Sequence, residues 1–191
     1  MTTLPDWMSP PRPEGWFAED LDSLPDAPRH TELIDGALVF MMSPQRHWHR
    51  RVINRLDSTL GEQAPEGVVI DSEMTIRLDD RNRPEPDVIA STASVGPNAT
   101  WYEVADVVLA VEVVSPESEH RDMTVKPHKY AAAGIKHFWR IEDEDGNAST
   151  VVHVYELDDM TRTYAPVGIF REILKVDRPF PIELDVQALY S

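Results

Sequence analysis

One run of residues constrains this chain more than any other feature: Asp106-Val107-Val108-Leu109-Ala110-Val111-Glu112-Val113-Val114. It is nearly all β-branched or small and apolar, the pattern of a central strand covered on both faces. Glu112 sits inside it. A carboxylate carried into such a layer loses its water, so it needs a cation beside it or a proton on it. Two readings follow from this residue alone: a ligand for a functional cation, or one half of an ion pair with an Arg or Lys.

The surrounding pattern predicts a sheet for that strand to join. Thr31–Ile34 and 37–42 flank Asp35-Gly36, a hairpin signal. Ser43-Pro44 is expected to end the second strand and open a helix from about Gln45 to Gln63, with Trp48, Val52, Ile53, Leu56 and Leu60 at helical spacing. Strand-like stretches follow at 68–78 and 86–90, parted by the polar turn 79–82, and later at 136–141, 150–157 and 161–167. Between the Glu112 strand and Gly134, a plausible C-cap, lies a second helix. The expectation is an α/β (α+β) fold, a mixed β-sheet flanked by helices. Residues 1–29 hold six prolines and are expected to be irregular, with a short helix at about 16–24 burying Trp16, Leu21 and Leu24. Residues 30–191 form the one domain, since no repeat or linker divides them.

Composition narrows the function. The chain has 191 residues, 41% of them apolar, enough for one domain with a core. No apolar run approaches the roughly 20 residues of a membrane span, and the N-terminus lacks the basic start of a signal peptide. Cysteine is absent, which removes disulfides, thiolate metal sites and thiol nucleophiles and suits a cytoplasmic location. With 18 basic against 34 acidic residues the net charge is −16, the wrong sign for a protein that coats nucleic acid. A bound divalent cation would change that sign locally.

Other residues stand out against this background. Asp87 follows Pro86 at a strand start, either a turn aspartate or a carboxylate aimed at the sheet edge. Glu32 lies beside the Asp35-Gly36 turn, either exposed or a third acid of the same site. The chain has only four lysines, and Lys126 and Lys129 share one helix face with Tyr130. The stretch 45–55 holds Arg46, Arg50, Arg51 and Arg55 with His47 and His49 and no acid. Such a face contacts phosphates or pairs with the protein's own carboxylates.

Taken together these motifs resemble the PD-(D/E)XK nuclease superfamily and, more narrowly, the Uma-two family of restriction-endonuclease-like proteins. The matching stretches are Glu32-Leu33-Ile34-Asp35-Gly36, Pro86-Asp87-Val88, Val111-Glu112-Val113-Val114-Ser115-Pro116, and Asp122 with Lys126 four residues on. Tyr130, Gly134, Phe138-Trp139 and Arg178-Pro179-Phe180-Pro181 continue the match over about residues 20 to 190. The resemblance implies a Mg²⁺- or Mn²⁺-dependent endonuclease hydrolysing DNA phosphodiester bonds. Asp87, Glu112 and the Val113 carbonyl would hold the metal, with Lys126 and Glu32 completing the catalytic set. Val114 stands where the wider superfamily has its lysine, so the cation comes from the next helix, expected to start near Thr124 with Pro127 in its first turn. His49 matches a histidine of the family, and Arg46, His49, Arg50 and Arg51 would contact DNA. Cutting both strands implies a homodimer. A catalytically silent binding module of the same fold, or a hydrolase of a small phosphodiester, are the competing readings.

Overall fold

The computed structural model describes residues 6–24, 27–40 and 45–191. In chain order the elements are β1 (Thr31–Ile34), β2 (Ala37–Phe40), α1 (His47–Gln63), β3 (Val69–Ser72), β4 (Thr75–Arg77), β5 (Val88–Ser91), β6 (Trp101–Glu103) and β7 (Val107–Val113). Then come α2 (Lys126–Ala133), β8 (His137–Asp143), β9 (Thr150–Asp158), β10 (Thr163–Phe170), β11 (Ile173–Val176) and β12 (Ile182–Asp185). Six strands form the main sheet in the order β10-β9-β8-β7-β5-β3, with only the β7–β8 pair parallel. The expected mixed sheet with flanking helices is what forms. Among the described residues no helix is long and apolar enough to cross a membrane.

Strand β7 lies inside the sheet, as its uninterrupted apolar pattern requires. Its residues alternate between two cores. Leu109, Val111 and Val113 join Val52, Ile53, Leu56 and Leu60 of α1, while Ala110 joins Tyr130 of α2 and Ile89 of β5. The period of two therefore sends Glu112 to the α2 face. α1 covers the other face with the spacing the sequence predicts, Trp48, Val52, Ile53, Leu56 and Leu60 all buried. Its start at Ser43-Pro44 lies outside the described residues.

Several elements differ from expectation, each for a local reason. The strand expected over 68–78 is broken at Glu73, whose φ of +55° turns β4 out of the main sheet to pair in parallel with β6. The segment at 16–24 is a 3₁₀ turn, Ala18–Ser23, with Trp16 and Ala18 buried against Leu33 and with Leu21 and Leu24 half-buried beside them. The hairpin β11–β12 was not signalled, and it packs Leu174, Ile182 and Leu184 onto the α1 core. The helix carrying Lys126 does not start at Thr124. A π-helical turn, Arg121–Val125, runs straight into α2. Pro127 lacks an N–H and would crowd the carbonyl four residues back in an ordinary α-helix, and the wider turn before it makes room. Lys126 keeps helical angles, φ −62° and ψ −45°, in spite of the proline that follows. Gly134 closes the helix at φ +96°.

The β1–β2 turn is tied down from outside. Asp35 and Gly36 both have positive φ, +50° and +75°, as the tightest hairpin turns require. Gly36 donates its N–H to the Arg81 carbonyl, and the Arg81 guanidinium stacks over Phe17, 4.8 Å from the ring centre. A Cβ on Gly36 would lie 2.0 Å from that guanidinium. Gly36→Ala therefore combines left-handed strain with displacement of Arg81, and it should lower stability by about 1–2 kcal/mol in urea unfolding.

Candidate active site

Glu112 is 1% exposed and carries two partners, both from the helix packed on its face. The Tyr130 hydroxyl donates to Oε1 at 2.6 Å, and the Lys126 ammonium donates to Oε2 at 3.0 Å. Lys126 is buried as deeply. Its Nζ also meets Glu32 Oε1 at 2.8 Å, Asp122 Oδ1 at 3.4 Å and the Glu85 carbonyl at 3.1 Å. One ammonium thus serves three buried carboxylates. The sequence left Glu112 as ligand or ion-pair partner, and with Lys126 it forms the pair. Of the two candidate lysines, Lys126 is the one at the site. Lys129 instead reaches Asp35 on the hairpin turn.

Burial pushes the Glu112 carboxyl well above the usual carboxylate range, with Lys126 pulling it back. Asp122 is raised for the same reasons. Burial works against the Lys126 ammonium too, but Glu112, Glu32 and Asp122 outweigh it, and its pKa is held above the ordinary lysine value.

Asp87 ends the sheet ladder on the neighbouring strand. Its N–H donates to the Val111 carbonyl at 3.0 Å, and its Oδ2 accepts the Val113 N–H at 2.6 Å. The side chain continues the ladder where the β5 backbone stops. Asp87 lies just beyond the last register pair, Val88 with Val111, beside the end of β7 that carries Glu112. The His49 Nε2 lies 3.5 Å from Asp87 Oδ1. Burial lowers the His49 imidazole pKa, but the bond to Asp87, its charge and the Val113 carbonyl together raise it above the normal value.

Glu32 reaches the site because β1 pairs with the segment before β5, where Leu33 and Arg83 exchange backbone bonds at 3.1 and 2.8 Å. The Glu85 N–H then donates to Glu32 Oε1 at 2.8 Å. Far from being exposed, Glu32 is 2% accessible. These groups line one cavity of about 270 Å³, together with His30, Arg46, Glu73, Glu117 and Arg121. The expected residues Glu32, Asp87, Glu112, Lys126, His49 and Arg46 all lie on it, whereas Arg50 and Arg51 are exposed on α1 beyond it. Arg51 donates to the Ser191 carbonyl at 2.8 Å. Sequence reasoning missed His30 and Glu85, whose motif, Glu between two prolines, carries no periodic signal.

The donor set suits a hard divalent cation. Carboxylates outnumber the charged bases on the cavity wall: Glu32, Glu73, Glu85, Asp87, Glu112, Glu117 and Asp122 against Arg46, Arg121 and Lys126. Oxygen donors of this kind favour Mg²⁺ or Mn²⁺. Among the described residues, no three His, Asp or Glu side chains close up to metal-ligand spacing as they stand. Both oxygens of Glu112 are turned to Tyr130 and Lys126, so binding a cation means sharing them.

The sheet order, the buried Glu–Lys pair and the aspartate at the strand end define a restriction-endonuclease-like fold. The chain belongs to the Uma2 family, described as "Putative restriction endonuclease", which it matches over residues 18–188. A crystal structure of a "putative nuclease belonging to DUF820" from Anabaena variabilis ATCC 29413 superposes with a TM-score of 0.68 at 18% identity. The superposition covers 90% of this chain and 96% of that one. No curated protein matches the sequence.

Removing the ammonium exposes how much the site depends on it. Lys126→Met leaves Glu32, Glu112 and Asp122 buried without their cation, at a cost of about 3–5 kcal/mol near neutral pH. The folded pKa values of Glu112 and Asp122, already raised, then rise further above the unfolded values of about 4, so the penalty vanishes below that range and grows as pH rises toward the folded values. Urea unfolding of this variant should show a large deficit against wild type at about pH 7.5 and a much smaller one at about pH 5.

Proposed function

We propose that this chain is a divalent-cation-dependent nuclease that hydrolyses DNA phosphodiester bonds at the cavity between β5, β7 and α2. The observation that carries this reading is one cavity lined by Asp87, tied to the Val113 N–H, and by Glu112 paired with the buried Lys126. Membership of a family described by restriction endonucleases supports it.

Asp87, Glu112 and the Val113 carbonyl would hold Mg²⁺ or Mn²⁺, which supplies an acidified water and offsets charge at the phosphate. The protein's own groups do the rest. Val113 N–H fixes the Asp87 carboxylate, so its other oxygen is presented at a set angle beside His49. Tyr130 holds Glu112 in one rotamer. Lys126, charged and anchored by Glu32 and Asp122, is the donor that orients the attacking water or stabilises the added negative charge in the transition state. Glu32 keeps that ammonium in place and reaches the Glu85 backbone. The exposed arginines at the start of α1 border the cavity through Arg46 and would track the phosphate backbone. Cutting both strands would take two such sites, and hence a pair of copies.

Incubation of supercoiled plasmid with Mg²⁺ or Mn²⁺ tests the reading. Wild type should nick or linearise it, and Asp87→Asn or Glu112→Gln should be slower by roughly a hundredfold or more. Asp87→Asn keeps an acceptor for the Val113 N–H, so its melting temperature should not fall, whereas Glu112→Gln turns an amide donor toward the Lys126 ammonium and should melt lower. Wild-type inertness with both metals would sink the nuclease reading.

DNA affinity should also report the α1 face. Charge reversal of Arg46 and Arg50 together should weaken binding alike for different sequences and reduce the salt slope by roughly two. A salt titration identical to wild type would rule out that face as the phosphate track.

A further inference from the structure

His30 lines the same cavity and has no role in the mechanism above. It stands just before β1 at a φ of +61°, a left-handed conformation that few side chains other than Asn, Asp and His adopt. Its Nδ1 is hydrogen-bonded to Glu85 Oε1. Glu85 is itself fixed, since its N–H bonds Glu32 at 2.8 Å and its carbonyl accepts Lys126 at 3.1 Å. The imidazole is therefore oriented by the one residue that touches both Glu32 and Lys126. With Nδ1 committed to Glu85, Nε2 is the nitrogen left to meet a ligand. The His30 side chain is 30% exposed, so it meets solvent, unlike His49 at 8%.

An approaching phosphate finds a hostile wall here. Glu85 and Asp87 on the segment before β5, and Glu73 at the break between β3 and β4, all act on His30 electrostatically. Lys126 is already shared among three carboxylates, and Arg121 Nε lies 3.9 Å from Glu32. We propose that His30 is the residue that receives the DNA phosphate at the solvent side of the cavity, its Nε2 donating to a non-bridging oxygen. This rests on the nuclease reading and adds to it a second phosphate contact beside Lys126. The hydrogen bond that His30 donates to Glu85 raises its pKa above the ordinary histidine value, against the lowering by burial, and the charges of Glu85, Glu73 and Asp87 add to the rise. The contact is accordingly strongest with the imidazolium and fades as pH rises. Arg46 lines the same cavity and His49 is buried against Asp87, and both are kept in every variant of His30 and Glu85.

The test is binding of a short fluorescein-labelled DNA duplex, read by anisotropy with Ca²⁺ in place of Mg²⁺ so that the duplex stays whole. Wild-type Kd should rise about tenfold between about pH 6 and about pH 8.5. His30→Asn, which suits the left-handed backbone, should bind weakly at both values. His30→Lys should bind tightly at both. Glu85→Gln, which keeps His30, should move the midpoint of the wild-type dependence to lower pH, and it serves if His30→Asn folds poorly. A His30→Asn protein with the wild-type pH dependence, an unmoved midpoint in Glu85→Gln, or a wild-type protein that does not bind the duplex overturns the proposal. Failure of the nuclease reading shows separately, as the absence of plasmid cleavage by wild type, because the binding measurement needs no turnover.

Discussion

The burial of one carboxylate inside a central strand sets the terms for everything around it. Glu112 can lie between two hydrophobic layers only if something on the α2 face compensates its charge, and Lys126 is what does so. An ammonium that deep has its own desolvation to offset, and one carboxylate is not enough. Glu32 and Asp122 complete the compensation, which in turn fixes where β1 and the turn after β7 must run. The hairpin, the widened helical turn and the strand are therefore not independent choices. They are three consequences of placing a charge where the sheet is dry.

The same arrangement explains how several acids can be gathered in one buried site. The lysine's charge offsets the repulsion among Glu32, Glu112 and Asp122 and holds them near one another. The result is a partly neutralised cluster, already shaped, in which Asp87 is locked by the Val113 N–H and Glu112 by Tyr130. The loss of conformational freedom has been met during folding rather than on binding. Acidity elsewhere on the chain is a separate matter, and the stretch of arginines without an acid lies at the exposed start of α1 next to the cavity.

Much of this was legible in the residues. The uninterrupted apolar run identified the central strand, and a lone Glu in it identified the site, because burial of charge is costly enough to need a reason. Helical spacing located α1, and the scarcity of lysine drew attention to Lys126. What the pattern could not convey was anything depending on partners distant in sequence. Glu32 reads as an exposed strand residue until β1 is paired with Arg83, and Glu85 reads as a turn residue until its backbone is seen to touch both Glu32 and Lys126. Glu73 ends a strand through its backbone angle, not through any property of its side chain. The β11–β12 hairpin has only four residues in each strand, so its alternation of buried and exposed positions is too brief to stand out.

The π-turn at Arg121–Val125 has a consequence for how this segment is compared with other sequences. A ring closed five residues on instead of four holds one residue more, so everything before it is advanced by about 100° relative to a regular helix. A helical wheel drawn through 119–133 as a single cylinder therefore assigns the wrong face to the residues on one side of Asp122. Two chains could share the Asp122–Lys126 geometry while differing by a one-residue gap in an alignment. Conversely, two ungapped chains could present different residues to the cavity. For this stretch, similarity is better judged by the phase of the backbone than by the count of positions.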